Sequence, residues 1–489
     1  MNGGAVLFAL GSLLFILGLA IFAPLAVAIA YDSQSPYESA EITAFIITLL
    51  VALVGGTVLR LFFSKDANRI RVREGFAIVT FSWLILSAVG MLPYLLSGVT
   101  HSIADAFFET MSGFTTTGAS VFPEVEILPH GVMFWRCMTQ WLGGMGVVVL
   151  AVALLPMMGV GGYRLMKAES PGGVAYERDR PRITESAKEL WKIYLLFSLV
   201  LFALLYLSGM NFYDSLCHTF TTMSTGGFST HTESVKYFQS PITQWIIIAF
   251  MFIAGVNFSV HAAGLRRNFR PFLRNREFRG YVIITLVCTS VGILVLSGGR
   301  IAAINESLVR VAAFQVLSVS TTTGFATDDF SLWPPILRLM LFLLMFCGAC
   351  MGSTAGGIKV FRLLIYIKAV YREFHRMIFP HAIRPVRIGE RVIEPAVVAN
   401  ILAFGLLYMV CFTVGAIVMT AYGFGMVTSM SASAAALGNI GPGLDLVGPA
   451  ANWQHLPALA KWVMSFLMLL GRLELFSVLV LCTPGAWKR

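Results

Sequence analysis

Ile103 to Ser120 reads IADAFFETMSGFTTTGAS, and Tyr213 to Thr230 reads YDSLCHTFTTMSTGGFST. Val309 to Thr327 reads VRVAAFQVLSVSTTTGFAT, and Met426 to Gly443 reads MVTSMSASAAALGNIGPG. All four share one order: a moderately apolar stretch, a run of Thr, Ser and Gly, and a return to an apolar segment. Aligning the runs brings Gly118, Gly227, Gly324 and Gly438 into register, a fourfold internal repeat. One such stretch alone is an ordinary small-residue packing motif between membrane helices. Four in register are predicted to fold alike, each as helix, short re-entrant helix, extended loop and helix.

The rest of the 489-residue chain sets these stretches in a membrane. It is 57% apolar and 12% charged, with mean hydropathy +0.79, whereas a soluble domain carries about 25% charged residues. This composition excludes soluble enzymes, secreted disulfide scaffolds and disordered chains. Ten apolar runs are long enough to span, at 5–30, 41–63, 76–98, 131–160, 188–209, 241–265, 277–298, 335–370, 395–422 and 456–482. The first is too long and too uncharged at its flanks for a cleaved signal, so it is expected to stay in the mature protein. The seven cysteines sit mostly within apolar runs and imply no disulfide framework. Cys347 and Cys350 read as small polarizable residues of an apolar helix rather than a redox or zinc pair.

The net charge of +10 does not point to nucleic acid, because the basic residues gather in alternate links and so set topology. Lys65, Arg69, Arg71 and Arg73 follow the second run, and Arg164, Lys167, Arg178, Arg180, Arg182 and Lys188 precede the fifth. Arg266 to Arg279 follow the sixth, Lys368 to Arg391 follow the eighth, and Lys488 and Arg489 end the chain. That side is expected to be cytoplasmic, with both termini inside. The opposite segments carry Asp32, Glu38, Asp105, Glu109, Glu124, Glu126, Asp214, Glu233, Asp328, Asp329 and Asp445, an acidic outer face on which Arg136, Arg310 and Arg338 are exceptions. The expected units are an N-terminal helix pair at 1–75 and pore repeats at 76–187, 188–276, 277–394 and 395–489. The fold class is an all-α polytopic membrane protein with four pseudo-symmetric repeats around one pore.

Non-helical backbone at membrane depth survives only where protein buries it or it lines a watery path. Four Thr/Gly loops can surround one axis and aim carbonyl oxygens at it, replacing the water shell of a cation. Each short helix ends near the midplane with its negative dipole end toward the same cavity. An anion path would show basic rings instead. No HExxH, GxSxG or paired acidic motif suggests an enzyme, and no Gly-rich nucleotide loop is present, so nucleotide control would come from a partner. A symporter would normally show inverted repeats, whereas these four all enter from the basic side. Passive and proton- or sodium-coupled transport stay open.

At TTTGAS 115–120, STGGFST 224–230, TTTGFAT 321–327 and LGNIGPG 437–443 the chain resembles the filter segments of the Trk/Ktr potassium transporter superfamily. The likeness is closer to its TrkH/TrkG-type membrane subunit, to whose additional N-terminal pair the helices at 5–63 are similar. The resemblance implies potassium uptake across the bacterial inner membrane through Thr116, Thr117, Gly118, Thr225, Gly226, Gly227, Thr322, Thr323, Gly324, Leu437, Gly438 and Asn439. It also implies homodimers on a cytosolic TrkA-type nucleotide-binding ring, with K+ as the transported ion and no nucleotide bound by this chain. The fourth repeat departs from the pattern, offering Ala436, Leu437, Gly438 and Asn439 in place of threonines.

Two further features lie below the filter. The eighth run is interrupted by Gly352, Ser353, Thr354, Ala355, Gly356, Gly357 and Lys359, a break in the helix because glycine costs about 1 kcal/mol per helical site. The resemblance implies that this stretch is a loop obstructing the pore. The tenth run carries Arg472 and Glu474 near its middle, two residues apart and so on different helix faces. The resemblance places Arg472 in the conduction path, where it opposes cations. Asn257, His261 and Asn400 read as interhelical hydrogen bonders.

Overall fold

The computed structural model describes residues 1–31, 38–66, 72–146, 180–269, 272, 274–382, 384–389 and 391–487. The fourth apolar run from 147 on lies outside these residues, as do Asp32, Arg69, Arg71, Arg164, Lys167, Arg178, Arg270, Lys488 and Arg489.

Among the described residues, six helices can cross a membrane by length and composition, or eight if two bent pairs each count as one span. The bent pairs are Pro241–Ala254 with Phe258–Leu265, at 102°, and Ala458–Arg472 with Phe476–Cys482, at 110°. The two remaining runs of the expected ten are the fourth, described only as His130–Gly144, and the eighth, whose helices Pro335–Leu344 and Val360–Ile378 are separated by a non-helical stretch. The protein is a multi-pass membrane protein.

The N-terminal pair, Gly3–Ala30 and Glu38–Phe62, crosses where Gly11 and Gly56 meet, and a Cβ on Gly56 would lie 2.8 Å from the Gly11 carbonyl oxygen. The pair is stitched to the first repeat by Glu41, which accepts from the amide of Val132 at 2.7 Å. That amide belongs to the first turn of His130–Gly144, where no backbone partner exists.

The four short helices begin as their sequences dictate. Ile103–Phe114, Phe212–Met223 and Glu306–Ser320 are capped by Ser102, Asn211 and Asn305, whose side chains accept first-turn amides at 3.3, 2.7 and 2.9 Å. Asp105, Asp214 and Glu306 add negative charge to those first turns. The fourth, Met426–Gly438, follows Gly425 and has no side-chain cap.

Several expectations are corrected. Cys347 and Cys350 lie in the non-helical stretch, not in a helix, where Cys350 donates its amide to Gly255 O at 3.0 Å. The tenth run is not one helix: it breaks directly after Arg472, with Glu474 and Leu475 both at φ 56°. Asn257 caps its own half-helix through Ser259 N, at 2.8 Å, and His261 Nε2 meets Ile253 O across the bend at 2.9 Å. Asn257 therefore caps a helix rather than joining two, the His261 bond links the two helices of the bent sixth run, and Asn400 is exposed.

Candidate ion filter and the loop beneath it

Each short helix ends in the same turn. Thr116, Thr225, Thr322 and Asn439 adopt left-handed backbone with φ of 54, 54, 57 and 54°. The next amide in each loop, that of Thr117, Gly226, Thr323 or Ile440, reaches back five residues to a helical carbonyl at 2.8 to 3.0 Å. This is the Schellman closure, made here without glycine at the left-handed position in any repeat. Such a conformation costs a non-glycine residue roughly 1–2 kcal/mol, so the surroundings must hold it. One residue further on, Gly118, Gly227, Gly324 and Gly441 have φ of 82, 77, 80 and 96°.

These glycines close a ring. A Cβ on Gly118 would overlap the carbonyl oxygen of Gly226, one on Gly227 that of Thr323, and one on Gly324 that of Ile440. A Cβ on Gly441 would lie 2.7 Å from Thr117 O, returning to the first loop. The four loops therefore touch in cyclic order, each glycine against the carbonyl just before the next repeat's glycine. The same four glycines line one shallow vestibule above the ring.

This ring revises the register of the fourth repeat. Gly441, not Gly438, is equivalent to Gly118, and Ile440 takes the place of Thr117. Leu437 and Gly438 belong to the last turn of the helix, while Asn439 holds the left-handed position. Asn tolerates that conformation better than most residues, which is the sequence signal that an alignment on glycine passes over. The other nine expected filter residues lie in the three remaining loops, around the ring.

The acidic residues of the outer side are largely engaged. Asp105 pairs with Lys461 at 2.5 Å, and Asp214 accepts from Thr230 at 2.5 Å. Glu109 is fully buried and pairs with Arg136 at 2.5 Å, while Arg136 also donates to Ser229 O at 3.0 Å and lies over the Phe228 ring. This pair ties the first loop of the ring to the second, because Glu109 also accepts from Val121 N at 2.9 Å. Arg310 pairs with Glu306 at 2.8 Å and donates to Gln244. Glu109→Ala is expected to strand the buried guanidinium of Arg136 at a cost of about 3–5 kcal/mol. The exposed Arg266–Glu189 pair serves as comparison, since Glu189→Ala should cost under about 1 kcal/mol. Denaturation midpoints in detergent check this, and equal midpoints for the two variants would remove the buried pair from the architecture.

Below the ring, the stretch from Met345 to Lys359 folds as a loop closed at its neck by Gly348 N to Ile358 O, 2.8 Å, and Val360 N to Ala349 O, 3.2 Å. Gly352 and Gly357, at φ 72 and 64°, make its turns. Its tip lies against the underside of the ring. Gly356 N donates to Thr322 Oγ1 at 2.7 Å, Thr354 Oγ1 donates to Met223 O at 3.1 Å, and a Cβ on Gly356 would overlap Gly438 O. The loop thus touches the second, third and fourth repeats. Ser353 bonds back to Cys350 O at 2.6 Å, and Lys359 donates to Ala355 O. Glu277 holds both flanks, accepting from Met351 N at 2.6 Å and Phe361 N at 3.2 Å.

Arg472 joins this loop to the first repeat. It donates to Thr354 O at 2.8 Å and to Gly143 O at 2.7 Å, so all four repeats meet the loop directly or through it. Glu474 pairs instead with Arg362. Sequence reading placed Glu109 on the acidic outer face without its partner, and missed Gln140, Glu277 and Arg362. Arg136 and Gln140, four apart in an otherwise apolar helix, carried a signal, since that spacing puts both on one face.

Membrane-crossing repeats around a ring of loop carbonyls define a four-repeat membrane transport protein. Residues 41–486 match the family model TrkH, described as cation transport protein, and the chain belongs to that family. It is a family of transporters, not of enzymes. The chain is 39% identical over 454 residues to the Trk system potassium uptake protein TrkH of Escherichia coli K12, covering 92% of this chain and 94% of that one. It is 31% identical to TrkG of the same organism, covering 98% and 97%. Its structure is similar to the crystal structure of the potassium transporter TrkH from Vibrio parahaemolyticus, with TM-score 0.88, 34% identity and full coverage of both chains.

Proposed function

We propose that this protein takes up potassium across the bacterial inner membrane, with both termini cytoplasmic, through the ring formed by Thr117, Gly118, Gly226, Gly227, Thr323, Gly324, Ile440 and Gly441. The observation that carries the reading is the cyclic contact of the four filter glycines with the next repeat's carbonyls. Backbone oxygens held at such close quarters suit a dehydrated monovalent cation, and the relatives named above are potassium uptake proteins. The helix ends beneath the ring add partial negative charge. In this reading the 352–359 loop is the gate, Arg472 is a barrier below the filter, and a homodimer on a cytosolic TrkA-type nucleotide-binding ring moves the loop. Flux into liposomes containing the purified protein, with potassium, sodium and proton gradients varied singly, tests it. Potassium uptake that exceeds sodium uptake is expected, and equal uptake of both ions would overturn the reading. Dependence on a proton or sodium gradient would mark coupled transport.

If the loop is the gate, deleting residues 352–357 opens the path below the ring. Potassium flux should then rise without any cytosolic partner, since the deletion removes the contacts to Thr322 and Met223. A folded deletion variant with flux at the wild-type background would leave the loop without a gating role.

A further inference from the structure

The ring has one position unlike the others. Just before the filter glycine stand Thr117, Thr323 and Ile440 in three repeats, and Gly226 in the second. The space beside Gly226 is not empty. A Cβ built there would meet Gln140 first, with Cδ, Oε1 and Nε2 of that side chain as its three nearest neighbours. Gln140 comes from the first repeat, on the helix His130–Gly144, and is fully buried. Its Nε2 donates to Gly226 O at 2.7 Å and its Oε1 accepts from Phe228 N at 3.0 Å.

Gly226 O is a member of the ring, the oxygen that a Cβ on Gly118 would overlap. Among the described residues it is the one ring carbonyl of the four with a hydrogen-bond donor; Thr117 O, Thr323 O and Ile440 O have none. Thr117 and Thr323 are instead braced through their hydroxyls, by Thr115 at 2.8 Å and Thr321 at 2.7 Å, and Thr117 also accepts from Asn439 Nδ2 at 3.0 Å. A glycine in the ring has no side chain to be braced, and glycine is the residue whose backbone is freest to turn. Burying a primary amide at this point requires that its groups be matched, and here one donor and one acceptor are both satisfied by the same loop.

We infer that Gln140 is a specificity-determining positioning residue, which stands in for the absent side chain of Gly226 and fixes the orientation of the Gly226 carbonyl in the ring. This rests on the potassium-uptake reading above. A donor on one oxygen of four also makes that oxygen a weaker ligand, so the ring binds a cation unequally on its four sides. Ion discrimination should therefore depend on Gln140 more strongly than total flux does.

Four variants, Gln140→Ala alone being the comparison for the last, test this in liposomes by the potassium-to-sodium permeability ratio. Gln140→Met keeps the volume and removes both hydrogen bonds, and should lower the ratio about three- to tenfold, the equilibrium weight of one neutral hydrogen bond, at near wild-type folded yield. Gln140→Glu puts an acceptor where the donor stood and should lower the ratio further. The double variant Gln140→Ala with Gly226→Thr rebuilds the Thr pattern of the first and third loops in the vacated space, and should recover much of the ratio. An unchanged ratio in folded Gln140→Met would overturn the inference, and so would a double variant no better than Gln140→Ala alone. A wild-type protein that fails to favour potassium would overturn the uptake reading itself, a separate outcome.

Discussion

Gly118→Ser is expected to lose on the order of tenfold or more of the discrimination between potassium and sodium, about 1.4 kcal/mol or more in relative ion stabilisation. Two independent effects act at this position. A side chain at φ 82° is strained whatever the space, and the added Cβ would overlap the Gly226 carbonyl oxygen of the next loop. The overlap is with backbone, which cannot rotate away as a side chain tip can. The ring must therefore open on that side, so its oxygens no longer replace the ion's water shell and ions pass hydrated with less discrimination. Gly441→Ser should behave in the same way, since Gly441 also has positive φ and would meet Thr117 O. Gly55→Ser, in the N-terminal pair with nothing within 4 Å of an added Cβ, should leave the ratio unchanged. A wild-type ratio in folded Gly118→Ser would remove that loop from the filter.

Arg472→Ala should raise potassium flux. At an effective dielectric constant of about 20, a fixed positive charge repels a monovalent cation several ångströms away by a few kcal/mol. The same side chain holds the loop to the first repeat through Thr354 O and Gly143 O, and charge-assisted hydrogen bonds contribute about 1.5–3 kcal/mol. Truncation removes the repulsion and the tether together, and both changes favour conduction. It strands no carboxylate, because Glu474 is paired with Arg362. A large loss of stability is therefore not expected, whereas Arg362→Ala should bring one by leaving Glu474 without its partner. Reduced thermal stability of Arg472→Ala with no rise in flux would reject the barrier role and make Arg472 a purely structural strut.

The membrane-spanning architecture was largely legible in the sequence because hydropathy reports it directly: a helix in lipid needs a long apolar run. The breaks were less so. In the eighth run, glycine at 352, 356 and 357 marks the interruption by local propensity. In the tenth, LLGRLELF has no proline and no glycine after Arg472, yet the helix stops there. What ends it is tertiary: Glu474 turns to Arg362 on another helix, and Glu474 and Leu475 take positive φ. The short helices were readable from their pattern, and their Ser102, Asn211 and Asn305 caps agree with it. Alignment on glycine sets the fourth loop three residues out of register, at Gly438 rather than Gly441. The structure uses a different marker, a non-glycine left-handed residue followed two positions later by glycine, and Asn439 with Gly441 fits it. The spacing of Arg136 and Gln140 marks one helix face, but the partners of Gln140 and Glu277 were not legible, since they are backbone groups of segments far along the chain.

Anomalous diffraction from crystals grown in rubidium, a heavier stand-in for potassium, would test the ring most directly. A peak is expected on the axis between the carbonyl oxygens of Thr117, Gly226, Thr323 and Ile440, and it should be displaced by excess potassium but not by the same concentration of sodium. A ring region without a peak, in crystals that show rubidium elsewhere along the axis, would contradict the assignment of these four loops as the filter.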